Sequence, residues 1–415
     1  MPDFLFGFPR IDLAKTIFIT GTNGKSTSNN LAVHAFRTAG HSVATNLEGA
    51  NLETGVATAL IKNADWRGNL KTEFLILEVD ERALKRVRSA IPGQYLCVTN
   101  IQKDQVQRNG DPDYIYQKVT AAIDGDVTVF VNNEEPRSAS LGRVAKRAVT
   151  FGVARDERAR LPETDGFAVT MPCPCCHDAL VFDWYNLANV GHFACPSCGF
   201  GSADKADYCV DAVSFDQKTF AVNGQPYHLQ YDAQHFLYNY ALCAGLAGHF
   251  GIGADVLARA FETFSNVGGR LEDFTFGSQR IRYLRMKQEN PETVQSAIDT
   301  IAADSNSKVL ILGLQTIGDI IPHYTNTAYV FDCDFQALLA SGVEACICFG
   351  PPTCYDMATR LVYAGMSPEK IMLVESDSPA DIFAAVAKCQ SEQAYMLTWL
   401  SQYEALRQYA DRGQA

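Results

Sequence analysis

Short apolar runs alternate with helix-periodic segments along the first third of the chain. The apolar runs have the length and composition of strands, whereas the segments between them repeat apolar residues at the three- and four-residue spacing of a helix. This alternation predicts a parallel sheet with helices on both faces. The predicted strands are Thr16–Thr20, Phe74–Asp80, Tyr95–Asn100 and Val127–Asn133, and the predicted helices include Lys25–Ala39 and Asp113–Ile123.

The alternation breaks near Gly166, where an insert rich in Cys, Pro and Gly begins and runs to about Lys205. A second alternating series starts near Arg280, so we predict a first domain over residues 1–270 and a second over 271–415. The strands predicted after the insert are Val210–Phe215, Thr219–Val222, Val309–Leu314, Ala328–Asp332, Ala345–Gly350, Ile371–Glu375 and Tyr395–Trp399. The helices predicted in this part of the chain are His235–Phe250, Ala254–Phe264, Thr293–Ala303 and Tyr355–Ala364.

Length and composition agree with a soluble protein of two domains. A chain of 415 residues is too long for one ordinary core, and 47% hydrophobic with 20% charged residues is typical of globular proteins. No apolar run reaches the roughly 18 residues that span a bilayer. The N-terminus carries acidic residues and leads directly into a strand, unlike a signal peptide. We therefore expect a cytoplasmic protein.

The net charge of −12 argues against nucleic acid as the main partner, because a phosphate backbone requires a basic face. One short stretch is basic, with Arg82, Lys85, Arg86 and Arg88 close together. Two interpretations of it stay open: contact with an anionic substrate or membrane surface, or a solvated helix face.

The segment from Thr20 to Ser26 has the composition of a phosphate-binding loop. It follows an apolar strand and opens a helix, so backbone N–H groups and the helix dipole can meet phosphate oxygens. Lys25 would neutralise the β- and γ-phosphates of ATP, and the Ser26 hydroxyl would bind Mg²⁺. The residues assigned to nucleotide binding are Gly21, Thr22, Asn23, Gly24, Lys25, Ser26 and Thr27.

Four cysteines in the insert have the spacing of a zinc ribbon. Cys173 and Cys176 form one Cys-x-x-Cys knuckle, and Cys195 and Cys198 form a second. Two knuckles can close a tetrahedral site in which no position is left for a substrate, so the predicted zinc is structural. Cys175 competes with Cys176, although only Cys176 gives the two-residue gap, and free or redox thiols are the alternative.

Acidic residues at predicted strand ends are further candidates for a functional site. Asp332 and Asp334 lie at the carboxyl end of a predicted strand, where open α/β sheets place their sites. Taken alone, such a pair can equally be a strand end or a helix cap. Glu78 ends another predicted strand and is either a metal ligand or a solvated strand end, with Asp80 and Glu81 as weaker candidates.

The short loop Gly-Thr-Asn-Gly-Lys-Ser resembles the phosphate loop of Mur ligases and folylpolyglutamate synthetases. Further segments resemble the MurT family of the Mur ligase superfamily, whereas the chain departs from that family at Gln107–Gly110, at Phe236 and at Gln288–Glu292. The segments that carry the resemblance are Asn46–Asn51, Gly55–Leu60, Thr99–Gln105, Gly269–Glu272 and Phe331–Phe335.

The resemblance implies a fold and a set of ligands. The expected fold is α/β: a central Mur ligase-type domain with a phosphate loop, a parallel sheet and an inserted four-cysteine zinc ribbon at about 166–205, then a C-terminal Rossmann-like domain. Asn239 and Arg270 would join the loop in contacting ATP, and Glu78 would join Ser26 on Mg²⁺. One of Asp332 and Asp334 would orient the catalytic histidine of a GatD-type glutaminase partner.

The resemblance also implies a reaction. The expected activity is ATP-dependent amidation of the D-glutamate α-carboxylate of lipid II to D-isoglutamine, through an acyl phosphate and with ammonia from the glutaminase. Because the substrate is a lipid, the chain would act at the inner face of the membrane. Two other hypotheses stay open: a ligase for another carboxylate, and a nucleotide-binding scaffold that regulates a glutaminase without catalysis.

Overall fold

The computed structural model describes residues 5, 8, 11–46, 50–103, 111–162, 170–187, 189–231, 233–265, 271–285, 290–314 and 327–413. The chain divides into two compact units. The first comprises Met1–Gln102 and Pro112–Asn266, and the second comprises Lys103–Asp111 and Val267–Ala415.

The first unit is built on a mixed sheet whose strands, within the described residues, follow the order β11-β10-β9-β6-β5-β4-β1-β3-β2. The strands from β9 to β2 in this order pair in parallel, and β10 and β11 pair antiparallel at one edge. The strands, including the separate hairpin β7–β8, are β1 Thr16–Thr20, β2 Val43–Ala44, β3 Phe74–Glu78, β4 Tyr95–Val98, β5 Thr128–Asn132, β6 Arg147–Val153, β7 Val181–Leu187, β8 Val190–Ala194, β9 Tyr208–Ser214, β10 Thr219–Val222 and β11 Gln225–His228.

Helices cover both faces of this sheet, as the alternating pattern predicts. The helices are α1 Lys25–Thr38, α2 Glu53–Asn63, α3 Leu84–Ala90, α4 Pro112–Thr120, α5 Pro136–Leu141, α6 Gln234–His249 and α7 Ala254–Thr263. Strand β1 supplies Ile17 and Ile19 to the core on one face and Phe18 to the core on the other, since successive side chains of a strand point in opposite directions. Helices α1, α6 and α7 pack on the first face, and α2, α3 and α4 pack on the second.

The Cys-rich insert forms a small substructure around hairpin β7–β8. Its own core includes Leu180, Phe182, Phe193 and Phe200, together with the buried thiols of Cys173 and Cys195. This core is small, so the insert depends on additional links for its stability.

The second unit contains a six-stranded sheet, counted over the described residues, with the order β12-β13-β17-β14-β15-β16. Its strands pair in parallel except for the antiparallel hairpin β12–β13 at one edge. Its elements are β12 Leu271–Phe276, β13 Gln279–Leu284, α8 Pro291–Ala302, β14 Lys308–Gly313, α9 Gln336–Ala340, β15 Val343–Phe349, α10 Thr353–Tyr363, β16 Ile371–Val374, α11 Pro379–Val386, β17 Gln393–Leu397 and α12 Leu400–Gly413.

One predicted strand is wrong. Ala328–Asp332 forms a 3₁₀ helix and takes no part in the sheet. Tyr329 and Val330, which are adjacent, are the buried residues of this helix, so burial does not alternate along it as it would in a half-buried strand. Asp332 and Asp334 therefore do not lie at the carboxyl end of a strand. In the described part of the chain, no helix is both long and apolar enough to cross a membrane.

Candidate functional site

The loop between β1 and α1 depends on two glycines. Gly21 has φ 122° and Gly24 has φ 79°, a backbone region that favours glycine. A Cβ atom on Gly21 would lie 2.3 Å from Thr99 Oγ1 and 2.7 Å from the Asn100 carbonyl oxygen. The loop is therefore packed directly against the segment that follows β4.

That segment holds the loop through Asn23. The Asn23 N–H donates to Asn100 Oδ1 at 2.8 Å, and Asn100 Nδ2 donates to the Asn23 carbonyl at 3.0 Å. Thr99 Oγ1 donates to the same carbonyl at 2.7 Å. The sequence identifies Thr99–Gln105 only as a family signature. The structure shows that Thr99 and Asn100 fix the loop, a contact between residues distant in the sequence that no local pattern reveals.

The first turn of α1 has no side-chain cap, since its N-cap residue is Gly24. Backbone N–H groups at such a turn, together with the helix dipole, form a general anion-binding arrangement. Ser26 is exposed on this turn and Thr27 is buried. The geometry thus fits phosphate oxygens above the loop and leaves the Ser26 hydroxyl accessible to a cation.

Lys25 is drawn into the loop by three acceptors. Its Nζ donates to the Gly21 carbonyl, to the Thr22 carbonyl at 3.3 Å and to Glu81 Oε1 at 2.9 Å. Both side chains of the ion pair are only 10% exposed. The sequence indicates Glu81 merely as a weak candidate metal ligand, so its pairing with the loop lysine is a new feature of the site.

Glu78 is the last residue of β3 and lies beside Ile19 of β1, close to where the loop begins. It is 3% exposed, which excludes the interpretation as a solvated strand end. Asn51 Nδ2 donates to Glu78 Oε1 at 3.1 Å. Asn46 holds the Glu78 backbone, accepting from its N–H at 3.0 Å and donating to its carbonyl at 2.8 Å. A carboxylate oriented in this way fits a magnesium ligand.

Asn239 lies on α6 directly beside the start of α1. Its Oδ1 accepts from Ser28 Oγ at 2.8 Å, and a Cβ atom on Gly24 would lie 2.9 Å from that oxygen. Asn239 therefore touches the loop region, as expected from the resemblance. Arg270, the other residue expected to contact nucleotide, lies outside the described residues.

The four predicted zinc ligands come together. The Sγ atoms of Cys173, Cys176, Cys195 and Cys198 all lie within 4.8 Å of one another. Cys173 and Cys198 are 3.7 Å apart, and Cys176 and Cys195 are 3.5 Å apart. Four thiolates at Zn–S distances of about 2.3 Å in a tetrahedron would be separated by about 3.8 Å. The spacing of these thiols thus fits a zinc ion.

Backbone N–H groups favour a thiolate at Cys195 and Cys173, whereas burial and hydrogen bonds among the thiols raise the pKa values of Cys176 and Cys198. A hydrogen bond from the Cys198 N–H lowers the pKa of the Cys195 thiol to about 7. The Cys175 N–H donates to Cys173 Sγ at 3.4 Å, an arrangement that stabilises a thiolate sulfur. The Cys175 thiol itself is exposed and stays outside the cluster, so Cys176 is the second cysteine of the first knuckle.

Asp332 and Asp334 have different surroundings in the second unit. Asp334 Oδ1 accepts from the Gln336 N–H at 2.8 Å, at the start of α9, and its backbone pairs with Gln295. Asp332 Oδ2 pairs with Lys103 Nζ at 2.6 Å, and both of these side chains are about 40% exposed. Both residues are exposed, but the Asp334 carboxylate stabilises a local turn, whereas the Asp332 carboxylate makes a surface ion pair.

Two protein families match the chain. The Mur ligase middle domain matches residues 19–168, and the MurT ligase C-terminal domain matches residues 288–406. Together these ranges include the phosphate loop, Glu78 and both aspartates.

Curated relatives match over nearly the whole length. The lipid II isoglutaminyl synthase (glutamine-hydrolyzing) subunit MurT of Staphylococcus aureus is 25% identical over 383 residues, which is 91% of this chain and 83% of the relative. The protein of the same name from Streptococcus pneumoniae is 26% identical over 392 residues, covering 92% and 83% of the two chains.

Among solved structures, the chain is similar to a pseudomurein peptide ligase type C from Methanothermus fervidus. The TM-score is 0.73 at 17% sequence identity, over 96% of this chain and 78% of the other. This likeness supports the fold expected from the sequence.

Proposed function

We propose that the chain, which matches the Mur ligase middle domain in its first part and the MurT ligase C-terminal domain in its second, is the ligase subunit of an enzyme that amidates lipid II. The γ-phosphoryl group of ATP passes to the D-glutamate α-carboxylate, and ADP leaves. Ammonia then attacks the acyl carbon and inorganic phosphate leaves, so that one amide forms for each ATP consumed. The proposed product carries D-isoglutamine.

The observation that carries this proposal is the loop from Gly21 to Lys25 at the junction of β1 and α1. Its backbone requires glycine at two positions, and its lysine is held at the loop by carbonyl oxygens. Lysine at that place offsets the charge of the transferred phosphoryl group, and such electrostatic stabilisation is a main contribution of a protein to phosphoryl transfer.

The residues of the loop also fit Mg²⁺, which would offset the negative charge of the phosphates. Ser26 would offer its exposed hydroxyl, and Glu78 would offer one carboxylate oxygen from the neighbouring strand end. Both are oxygen ligands, which this cation prefers. Asn239 and Arg270 complete the proposed nucleotide contacts, and the four clustered cysteines would hold one structural Zn²⁺.

We assign the supply of ammonia to a GatD-type glutaminase partner. The relatives are named as subunits of a glutamine-hydrolyzing synthase, whereas the buried thiols of this chain are poor nucleophiles. Burial raises the pKa of Cys243, Cys346 and Cys348 well above that of a reactive thiol. Asp332 is the proposed contact with the partner's catalytic histidine, because its carboxylate makes an exposed ion pair with Lys103, whereas that of Asp334 caps the turn at the start of α9.

The test uses purified chain, lipid II, ATP and ammonium, with amide formation and phosphate release measured together. The proposal expects one phosphate released for each amide formed. Phosphate release only with a different carboxylate substrate would point to a ligase for that compound. No substrate-dependent ATP hydrolysis in the presence of the glutaminase would favour the regulatory scaffold instead.

A further inference from the structure

The insert that carries the four cysteines reaches the phosphate loop through one side chain. Gln102, which is only 5% exposed, lies between them. Its Oε1 accepts from Asn23 Nδ2 at 2.9 Å, and its Nε2 donates to Asn189 Oδ1 at 2.5 Å. Asn189 is in the turn between β7 and β8, and Asn23 belongs to the phosphate loop. The two ends of one buried amide thus join the insert to the loop.

Gln102 is also bound to the loop through its backbone. Its N–H donates to Thr22 Oγ1 at 3.0 Å, and its carbonyl accepts from the same hydroxyl at 3.2 Å. Thr22 and Asn23 directly precede Gly24, where the loop enters α1. The orientation of the Gln102 amide therefore affects the residues whose backbone would surround the phosphates.

The hairpin is itself held in place on the first unit. Asn186 Nδ2 donates to the Val153 and Ala154 carbonyls at 3.2 and 3.1 Å, and the Gly191 N–H donates to the Glu134 carbonyl at 2.9 Å. Asn189 is therefore presented to Gln102 from a fixed hairpin. The second strand of this hairpin, β8, leads directly into Cys195 of the thiol cluster.

We propose that Asn189 is a positioning residue for nucleotide binding and that it acts through Gln102 on Asn23. The inference rests on the proposed function, since it assumes that ATP binds at the loop. Without the Asn189 oxygen, the buried Nε2 group of Gln102 loses its acceptor, and the amide is held less firmly because it keeps the bond from Asn23 Nδ2 without the one on its other side. The insert then contributes to ATP affinity in addition to holding the proposed zinc.

The experiment compares full-length variants in equilibrium ATP binding and in ammonium-driven amidation of lipid II. Asn189→Ala should raise the Kd and KM for ATP about five- to tenfold, with kcat and the KM for ammonium little changed. Asn189→Asp keeps an acceptor oxygen and should stay within about threefold of wild type. Asp183→Ala is the matched control, since Asp183 is on the same hairpin but contacts His192 at the surface.

A double-variant cycle tests the route. If Asn189 acts through Gln102, Asn189→Ala should add almost nothing to the loss caused by Gln102→Ala. Additive losses would contradict the proposal that Asn189 acts through Gln102. ATP binding by Asn189→Ala equal to that of wild type would contradict it as well. An equal loss of ATP affinity in Asp183→Ala would assign the effect to the stability of the hairpin and would also contradict the proposal. Failure of the wild-type chain to bind ATP would instead contradict the proposed function, and with it the role of Asn189 in nucleotide binding.

Discussion

Lys25 Nζ lies 2.9 Å from Glu81 Oε1, and both side chains are almost completely buried. The two residues are 56 positions apart in the sequence, so no local motif that contains the loop lysine also contains its partner. An ion pair with so little solvent contact constrains the lysine, and removal of one partner leaves a buried charge without its counterpart.

We expect Lys25→Ala to lower the kcat/KM of ammonium-dependent amidation at least about 100-fold, because alanine supplies no charge at the phosphates. The same change should destabilise the chain by about 1–3 kcal/mol, since Glu81 loses its charged partner. The double variant Lys25→Met/Glu81→Gln should regain most of the stability and none of the activity. Full amidation by folded Lys25→Ala would contradict the assigned role of this loop.

The metal prediction concerns the four clustered thiols. Metal-replete protein should contain one zinc per chain, and chelation should lower the melting temperature, because the small core of the insert depends on the ion. Cys195→Ser should lower zinc content and the melting temperature more than Cys209→Ser, since Cys209 is buried but is not part of the cluster. Less than about half an equivalent of zinc, or equal effects of the two substitutions, would count against a closed structural site.

Local patterns were sufficient to predict the loop and the thiol cluster. A strand, two glycines and Gly-Lys-Ser predict, within a few residues, a tight turn at the start of a helix, and two Cys-x-x-Cys knuckles predict a cluster of four thiols in the same way. Ala328–Asp332 was predicted wrongly because a pattern of five residues is too short to distinguish a buried strand from a 3₁₀ helix. The pairs Lys25–Glu81 and Gln102–Asn189 could not be predicted, since each joins segments that only the folded chain brings together.

The buried carboxyl group of Glu134 gives a prediction about pH. Burial raises its pKa from the ordinary 4.5 to about 7, although Asn133 and the Val153 N–H donate to it. Between these two values the folded chain binds more protons than the unfolded chain, so the free energy of unfolding falls as the pH rises. The stabilisation is complete below pH 4.5 and is lost as the pH passes about 7, a change of about 3 kcal/mol.

Denaturant unfolding at pH 5, 6, 7 and 8 measures this effect, with Glu134→Gln as the comparison. The glutamine variant should be less stable at pH 5, because an amide cannot accept both hydrogen bonds, but its stability should vary less with pH. The difference in free energy of unfolding between the two proteins should therefore become smaller toward pH 8. Parallel pH profiles for the two proteins would show that Glu134 does not titrate in this range.

The last prediction separates the two aspartates of the second unit. Asp332→Asn should lower glutamine-dependent kcat by about 10³- to 10⁴-fold in the complex with the glutaminase, because an amide cannot hold a catalytic histidine in the required tautomer. Ammonium-dependent amidation should persist, since the loop around Lys25 is unchanged. The exposed pair of Asp332 with Lys103 contributes little to stability, so the variant should fold normally.

Asp334→Asn is the matched control for this experiment. Its side-chain oxygen can still accept from the Gln336 N–H, so both nitrogen sources should support amidation within about twofold of wild type. Normal glutamine-dependent activity in both variants would remove the aspartates from the partner's catalytic arrangement. Loss of glutamine-dependent activity in Asp334→Asn alone would exchange the two roles, whereas failure with both nitrogen sources would place Asp332 in the ligase reaction itself or in the fold. A selective loss of glutamine use in Asp332→Asn alone is the result that the exposed carboxylate predicts.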